Sequence, residues 1–324
     1  MARIEVVIPY YQREAGHLVR AVNSIMAQGY DDIRVNIVDD GSPRPASLDL
    51  DTLPDDVRAK VNVVVQSNTG ANGARNRGLA EVSLDAEFVA LLDSDDEWLP
   101  GHLEHAVAAL SYPGAGFFYD MIFIDQKFAE GYTEPSTILD ASTLGEVEGQ
   151  PHLKEILYPL RALCGDWYRH MHLSVTVLSG DLARRVRFDA SFTIADDFEF
   201  FYQCARYPGR WYIDTRNGAA RGTGANIWHG VKTTDLRYSQ EKFFSMVVLS
   251  RLLREPSVDE QTRQTARERI RAFREQFYWS QRDRLKARMM LNLDLWLRFI
   301  RYDPALLGFA LGRLLHLPTA PKAA

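Results

Sequence analysis

Cysteine is nearly missing from this chain, since Cys164 and Cys204 are the only two among 324 residues. Their number and spacing exclude a disulfide framework and a cysteine-based zinc site. Free thiols are typical of proteins in a reducing compartment. The first residues, MARIEVVIPYY, contain no long apolar run of the secretory type. We therefore expect a cytoplasmic protein.

Long hydrophobic stretches and an excess of positive charge are missing as well. The most apolar segment, ALLGFALGRLLHL, is too short to cross a bilayer and contains Arg313. The formal net charge is −5, whereas nucleic-acid binding usually needs a basic face, so no nucleic-acid partner is expected. With 46% hydrophobic residues, the composition is that of a globular protein with a sizeable core.

Short apolar runs and helical patterns alternate along the first half of the chain. Continuous β-branched runs, typical of strands covered on both faces, are IEVVI, IRVNIV, VNVVV and FVALL. HLVRAVNSIMAQ and GARNRGLAEV read as helices between them. This alternation predicts an α/β fold with a mostly parallel sheet. Further strands are expected at GFFYDMIFI, HLSVTVL and RWYID, a helix at DDFEFFYQCARY, and helices from Leu236 onward.

Polar motifs follow three of the predicted strands, namely PYYQRE, DDGS and DSDD. Ligands of parallel sheets bind beyond the carboxyl ends of the strands, so a binding site is expected there. Two familiar sites do not fit. The Gly-rich turn of dinucleotide-binding domains is missing after the first strand. In a calcium loop starting at Asp93, Trp98 stands where the turn needs glycine.

The DSDD motif concentrates like charge at the end of an apolar strand. Neighbouring carboxylates raise one another's pKa unless a cation lies among them. Asp95 could bind Mg²⁺ or Mn²⁺, which would bridge to a diphosphate, and Asp93 could reach ribose or the metal. The alternative is a solvated strand end before a helix N-terminus.

Other polar and aromatic residues in the motifs carry the same ambiguity. Asp39 and Asp40 could contact a nucleotide or form a turn. Tyr10 and Tyr11 could stack on a base or belong to the core. Arg75 could neutralise phosphate or be a solvated helix charge.

Five motifs together resemble a known family: VVIPYYQRE, VDDGS, NTGANGARNRGL, LLDSDDEWLP and FDASFTIADDFEF. Their order and spacing over residues 3–230 are similar to those of family-two inverting glycosyltransferases, which have the GT-A fold. The first motif also resembles glucosyltransferases of bacterial succinoglycan-type exopolysaccharide assembly. The resemblance implies a GT-A domain over 1–235, with a nucleotide-binding half (1–115) and an acceptor half (116–235). A helical, Arg-rich region, 236–324, would follow.

The resemblance also implies residue roles. Asp197 would be the base that deprotonates the acceptor, and Asp196 replaces a commoner Glu with a shorter arm; the residues alone equally suit acids at a helix N-terminus. Mn²⁺ or Mg²⁺ would be held by Asp95 and His229, although the residues around His229 depart from the family's Arg-x-His arrangement. The implied nucleotide-binding residues are Pro9, Tyr11, Arg13, Asp39, Asp40, Asn68, Arg75, Asp93 and Ser94.

The roles of two aromatic residues and four histidines are less specific. Trp167 and Tyr168 could stack on an acceptor sugar or pack in the core. The remaining histidines that we interpret as structural or surface residues are His102, His105, His170 and His172.

The implied reaction is inverting transfer of a sugar, with glucose as one candidate, from a UDP-sugar to a saccharide acceptor. The acceptor is expected to be a lipid-linked oligosaccharide of a surface glycan or exopolysaccharide. A nucleotidyltransferase, which would use a nucleoside triphosphate, and a non-catalytic nucleotide-sugar-binding scaffold are the alternatives. The sequence leaves the oligomeric state open.

The C-terminal region is basic although the chain is acidic. Between Arg263 and Arg301 there are eleven Lys or Arg residues and four acids, interleaved with aromatic and aliphatic residues. Basic helices with Trp and Leu can lie in the interface of an anionic bilayer. Packing on the catalytic domain or on another subunit is the alternative. We expect peripheral contact with the inner face of the cytoplasmic membrane.

Overall fold

The computed structural model describes residues 3–123, 141–165, 171–222 and 230–315. The chain divides into two compact units, Met1–Asn226 and Ile227–Ala324. The predicted domain boundary after residue 235 lies a little beyond this division and stays a prediction.

The first unit contains ten strands and eight helices among the described residues. The strands are β1 (Ile4–Tyr10), β2 (Ile33–Asp39), β3 (Val61–Val65), β4 (Phe88–Leu91), β5 (Glu97–Trp98), β6 (Ala115–Phe123), β7 (Leu144–Glu146), β8 (Leu153–Ile156), β9 (Thr176–Ser179) and β10 (Arg210–Ala220). The helices are α1 (His17–Met26), α2 (Ala46–Leu50), α3 (Asp55–Arg58), α4 (Ala71–Glu81), α5 (His102–Leu110), α6 (Pro159–Ala162), α7 (Gly180–Arg185) and α8 (Asp196–Ala205).

All ten strands belong to one sheet, in the order β3-β2-β1-β4-β9-β6-β10-β8-β7, with β5 pairing to β10. The strands β1 to β4 pair in parallel, and β9 is antiparallel to both β4 and β6. From these pairings, seven of the ten strands run in one direction and β5, β8 and β9 run in the other. The predicted α/β fold with a mostly parallel sheet is therefore confirmed.

Helix α4 packs closely on β1 because a glycine faces the strand. A Cβ atom at Gly78 would lie 2.3 Å from Cγ1 of Val7, so a larger residue there would push the helix away.

Strand β3 is less buried than its apolar sequence suggested. It is the edge strand, and Val65 is 73% exposed; the expectation of cover on both faces is wrong for β3.

The predicted strand HLSVTVL is a strand only in its second half. Leu173–Val175 form a 3₁₀ turn, and β9 begins at Thr176. The side chain of His172 accepts a hydrogen bond from the backbone N–H of Ser174 and so caps this turn. Such local capping competes with strand pairing, which delays the start of β9.

The second unit is helical, as predicted: α9 (Leu236–Leu252), α10 (Glu260–Lys286), α11 (Leu293–Tyr302) and α12 (Ala305–Leu315). Its core is aromatic, with the rings of Phe277 and Phe299 4.5 Å apart. Arg274 makes a two-pronged ion pair with the buried carboxylate of Asp303, at 2.5 and 3.0 Å. Within the described part of the chain, every helix is too short or too polar to span a membrane.

Candidate active site

The loops after β1, β2 and β4 meet because these strands are parallel neighbours. Gln12 connects all three loops. Its side-chain amide donates to Oγ of Ser94 at 3.0 Å. Its backbone N–H donates to Oγ of Ser42 at 2.8 Å, and that hydroxyl donates back to the Gln12 carbonyl. Sequence analysis identified Ser94 but missed Gln12 and Ser42.

The two acids of the DDGS motif are buried and shape the loops around them. Asp39 accepts hydrogen bonds from two backbone N–H groups of the turn that follows it, each at 2.8 Å. Asp40 accepts from the backbone N–H groups of Thr69 and Gly70, also at 2.8 Å. The turn interpretation is therefore correct for Asp39, whereas Asp40 binds the loop before α4. Nucleotide binding through their remaining lone pairs stays a prediction.

The other predicted nucleotide-binding residues differ in exposure. Tyr11 is 48% exposed at the end of β1, whereas Tyr10 is fully buried. Burial raises the pKa of Tyr10 to about 12, so that ring belongs to the core. Arg13 and Asn68 are exposed, and Pro9 is half-buried. Of the two tyrosines, only Tyr11 presents a ring on which a base could stack.

Arg75 connects the two acidic motifs. Its guanidinium Nη2 lies 2.8 Å from Oδ1 of Asp93, and Nη1 lies 3.3 Å from Oδ2 of Asp196. The group is buried and stands over the ring of Phe188, 5.3 Å from its centroid. Burial would lower the pKa of Arg75, but Asp93 and Asp196 outweigh it and raise that pKa. The DSDD loop and the start of α8 thus form one site.

One face of α4 holds the segment that leads into α8. Asn72, Arg75 and Asn76 have the spacing of neighbours on a helix surface. Asn76 exchanges two hydrogen bonds of 2.8 Å with the backbone of Phe188. Asn72 donates to the carbonyl of Phe192 at 2.9 Å. The NTGANGARNRGL motif therefore positions the second acidic motif.

Asp196 and Asp197 are the first two residues of α8. The preceding Ala195 has φ of +56°, a left-handed conformation that costs a non-glycine residue about 1 kcal/mol. Burial, and secondly the charge of Asp196, raises the pKa of Asp197 to about 7. A half-buried carboxylate with this pKa can accept a proton at neutral pH, as a general base must.

A second cluster of titratable side chains contains two acids of the DSDD loop and a histidine. Ligand atoms of Asp93, Asp96 and His172 all lie within 4.8 Å of one another. Ser174 donates its hydroxyl to Oδ2 of Asp96 at 2.6 Å and its backbone N–H to Nδ1 of His172 at 3.2 Å. The backbone N–H of Gly222 donates to the other oxygen of Asp96 at 2.9 Å. Burial, then the charge of Asp93, raises the pKa of Asp96 to about 6.

Asp95 is the acid in this loop that best fits a cation. Burial, then the charges of Asp96 and Asp93, raises the pKa of Asp95. Among the described residues, no side chain hydrogen-bonds or ion-pairs with its carboxylate. A divalent cation bound by Asp95 would relieve this repulsion. The predicted partner His229 lies outside the described residues, as do Trp167 and Tyr168.

Sequence analysis missed several residues of this cluster. His172 was interpreted as a structural or surface residue; it caps the turn before β9 and also lies beside Asp93 and Asp96. Ser174, which connects it to Asp96, drew no attention because an uncharged residue in an apolar run carries no local signal. Arg221 acts on Asp93, Asp96 and His172 through its charge.

Comparison with known proteins gives the chain its family context. The family model "Glycosyl transferase family 2" matches residues 5–169. The succinoglycan biosynthesis protein ExoW of Rhizobium meliloti (strain 1021) is 34% identical over 315 residues, which cover 96% of this chain and 97% of ExoW.

Solved structures show the same fold. S. aureus TarS 1-349 aligns with a TM-score of 0.63 and 16% identity, over 95% of this chain and 83% of TarS 1-349; this protein has also been solved with UDP-GlcNAc. The mannosyltransferase PcManGT of Pyrobaculum calidifontis, in complex with GDP-Man and Mn²⁺, aligns with a TM-score of 0.58 and 16% identity, over 97% of this chain and 87% of PcManGT. The expected GT-A α/β fold is confirmed. The family match over more than half of the chain and the full-length relative show that the chain belongs to glycosyl transferase family 2.

Proposed function

We propose that this protein transfers a hexose from a UDP-hexose, with inversion, to a saccharide acceptor in exopolysaccharide assembly. Family membership and the ExoW relative support glycosyl transfer in such a process. The observation that carries the proposal is the Arg75 bridge. It brings Asp197, with its raised pKa, into one site with the strand-end acids of the DSDD loop.

The residues divide the reaction between them. Tyr11 stacks on the uracil, and Asp93 holds the ribose. Asp197 takes the proton of the acceptor hydroxyl while the acceptor oxygen bonds to the anomeric carbon. The bond from that carbon to the phosphate oxygen breaks on the opposite face, and UDP leaves. Because one displacement completes the transfer, the sugar is inverted and no covalent glycosyl-enzyme forms.

A divalent cation, Mn²⁺ or Mg²⁺, completes the site in this proposal. Asp95 supplies an oxygen ligand of the kind that such ions prefer, and His229 is the predicted second ligand. When bound, the ion neutralises charge on the diphosphate. The reasons for placing it here are that no described side chain pairs with the Asp95 carboxylate and that its neighbours carry like charge.

A screen of UDP-sugars for metal-dependent hydrolysis and transfer tests this function. We expect turnover with a UDP-hexose and Mn²⁺ or Mg²⁺, and none with EDTA. Nucleoside triphosphates in the same screen test the nucleotidyltransferase alternative. The Asp95→Ala variant should lose the Mn²⁺ dependence of UDP binding, measured by calorimetry. Asp181→Ala, at an exposed carboxylate of the same unit, serves as the control. Unchanged Mn²⁺ dependence in Asp95→Ala would remove Asp95 as a ligand.

The acceptor in this proposal is lipid-linked, and the C-terminal helices contact the inner face of the cytoplasmic membrane. Leu293 and Leu297, one turn apart on α11, are 63% and 70% exposed. Leu307 and Leu311 repeat this arrangement on α12. Exposed basic residues, such as Arg301, accompany them. An apolar strip with cationic neighbours suits an anionic bilayer.

The assignment of the residues to domains belongs to the same proposal. The nucleotide-binding half is 1–115, the acceptor half is 116–235 and the membrane-facing helical region is 236–324. The two acid motifs that the halves contribute, at Asp93 and at Asp197, support this division of labour.

A further inference from the structure

His172 has a defined pattern of hydrogen bonding in the neutral state. Its Nδ1 accepts a hydrogen bond of 3.2 Å from the backbone N–H of Ser174. A backbone N–H can only donate, so Nδ1 carries the lone pair and the neutral ring carries its proton on Nε2. The residue therefore presents an N–H donor at Nε2.

This arrangement argues against His172 as a metal ligand, although its ring lies close to two carboxylates. A metal needs a lone pair on the ring nitrogen. Here the lone pair of Nδ1 is occupied by Ser174, and Nε2 is protonated. Both oxygens of Asp96 likewise accept hydrogen bonds, from the Ser174 hydroxyl and the Gly222 backbone. Both oxygens of Asp96 and Nδ1 of His172 are thus already bonded within the chain.

The Nε2–H group has no hydrogen-bond partner among the described residues. The His172 side chain is 22% exposed, so this group can meet a ligand. Asp93 belongs to the same loop as Asp95, and its carboxylate lies within 4.8 Å of a ring nitrogen of His172. A diphosphate held at Asp95 would therefore lie close to the ring.

We propose that His172 donates its Nε2–H to the terminal phosphate of the UDP leaving group and stabilises its departure. This inference rests on the proposed glycosyl transfer. In the reaction, the phosphate oxygen gains negative charge as its bond to the anomeric carbon breaks. A fixed neutral donor stabilises that charge, because the donor is already oriented and needs no proton transfer.

Two variants separate the functions of the two ring nitrogens. His172→Asn keeps an acceptor for the Ser174 N–H, since Asn is a favoured cap, but it removes the Nε2–H. His172→Gln extends an amide N–H towards the Nε2 position. UDP and UMP binding are measured by calorimetry with Mn²⁺, Mn²⁺ binding is measured without nucleotide, and kcat is measured with the active UDP-sugar.

For His172→Asn we expect UDP affinity to fall on the order of 10-fold and kcat by a similar factor or more. UMP affinity and nucleotide-free Mn²⁺ affinity should stay unchanged, and His172→Gln should recover most of the loss. His152→Asn, at an exposed histidine of the same unit, should match the wild type in every measurement.

Three results would overturn the inference: wild-type UDP affinity and kcat in His172→Asn, weaker nucleotide-free Mn²⁺ binding in that variant, or no recovery in His172→Gln. The second would make His172 a metal ligand. A wild-type protein that neither binds UDP nor transfers a sugar would instead refute the proposed function itself, which keeps the two failures distinct.

Discussion

Arg75 is the side chain that makes two acidic motifs into one site. Its guanidinium is shared between Asp93 and Asp196, which lie on different elements. Removing it would leave two carboxylates close together without their counter-charge, a strongly unfavourable arrangement away from water. Asp197 lies beside Asp196, and burial, followed by the charge of Asp196, raises the pKa of Asp197 although the charge of Arg75 lowers it.

Replacing Asp197 tests the base directly. Asp197→Asn keeps the shape of the side chain but cannot take a proton as a carboxylate does. We expect the rate of sugar transfer to fall by about 10²-fold or more, while UDP affinity stays near the wild-type value. Single-turnover transfer and calorimetry measure the two quantities, with Asp181→Asn as the surface control. Normal turnover would point to Asp196 or Glu199 instead.

The raised pKa of Asp197 predicts the pH dependence of transfer. The base acts in its ionised form, and its pKa of about 7 places the change near neutrality. As the pH falls below this value, kcat/KM should decrease about tenfold per pH unit, and above it a plateau should follow. In Asp197→Asn this dependence should vanish from the residual activity. An acid limb centred near pH 4 in the wild type would contradict the assignment.

Helix α4 organises the site because its faces contact different elements. Asn72 and Asn76 hold the segment before α8, and Arg75 binds the first residue of α8, Asp196. Gly78 lies against β1. The position of Arg75 therefore depends on how closely the helix approaches the sheet. Tight packing at Gly78 and the geometry of the site are coupled through this one helix.

The Gly78→Ala variant should be destabilised. The added Cβ would lie 2.3 Å from Cγ1 of Val7, and such overpacking typically costs about 1–3 kcal/mol. Gly308→Ala is the matched control, because open space surrounds that helical glycine; it should gain up to about 1 kcal/mol from helix propensity. Urea unfolding measures both. Equal stability of Gly78→Ala and wild type would mean that β1 and α4 separate without cost.

The acids of the proposed site and the exposed leucines lie in different units of the chain. The described acids proposed for catalysis and metal binding all belong to the first unit. The exposed leucines at 293, 297, 307 and 311 belong to the second unit, where the excess of basic residues also lies. This separation supports a catalytic unit combined with a membrane-contacting unit.

Binding to vesicles tests the membrane proposal with the full chain. The protein should co-sediment with vesicles rich in phosphatidylglycerol and less with pure phosphatidylcholine, more weakly as salt rises. The double variant Leu293→Asp and Leu297→Asp should lose most of this binding. Leu84→Asp with Val65→Asp, at exposed apolar positions of the first unit, is the matched control. Equal binding by both double variants, or no binding by the wild type, would exclude this surface.

Most of the fold was predictable because the determining signals are local. Apolar runs identified β1, β2, β4 and β6, and helical spacing identified α1. The order of strands and helices then predicted a mostly parallel sheet with its motifs at the carboxyl ends. The same regularity singled out Asp93 and Asp95 at a strand end, whereas Asp197 was assigned only through the resemblance to the family.

The pairings across the site depend on contacts that no local pattern encodes. Arg75 and Asp196 are 121 positions apart, and the hydrogen bonds of α4 with the segment before α8 bring them within reach. His172 becomes part of the site through Ser174 and Asp96, while β3 is exposed because it falls at the edge of the sheet. Strand and helix formation follow from near neighbours in sequence, whereas burial, charge pairing and hydrogen-bond direction follow from which elements the folded chain places side by side.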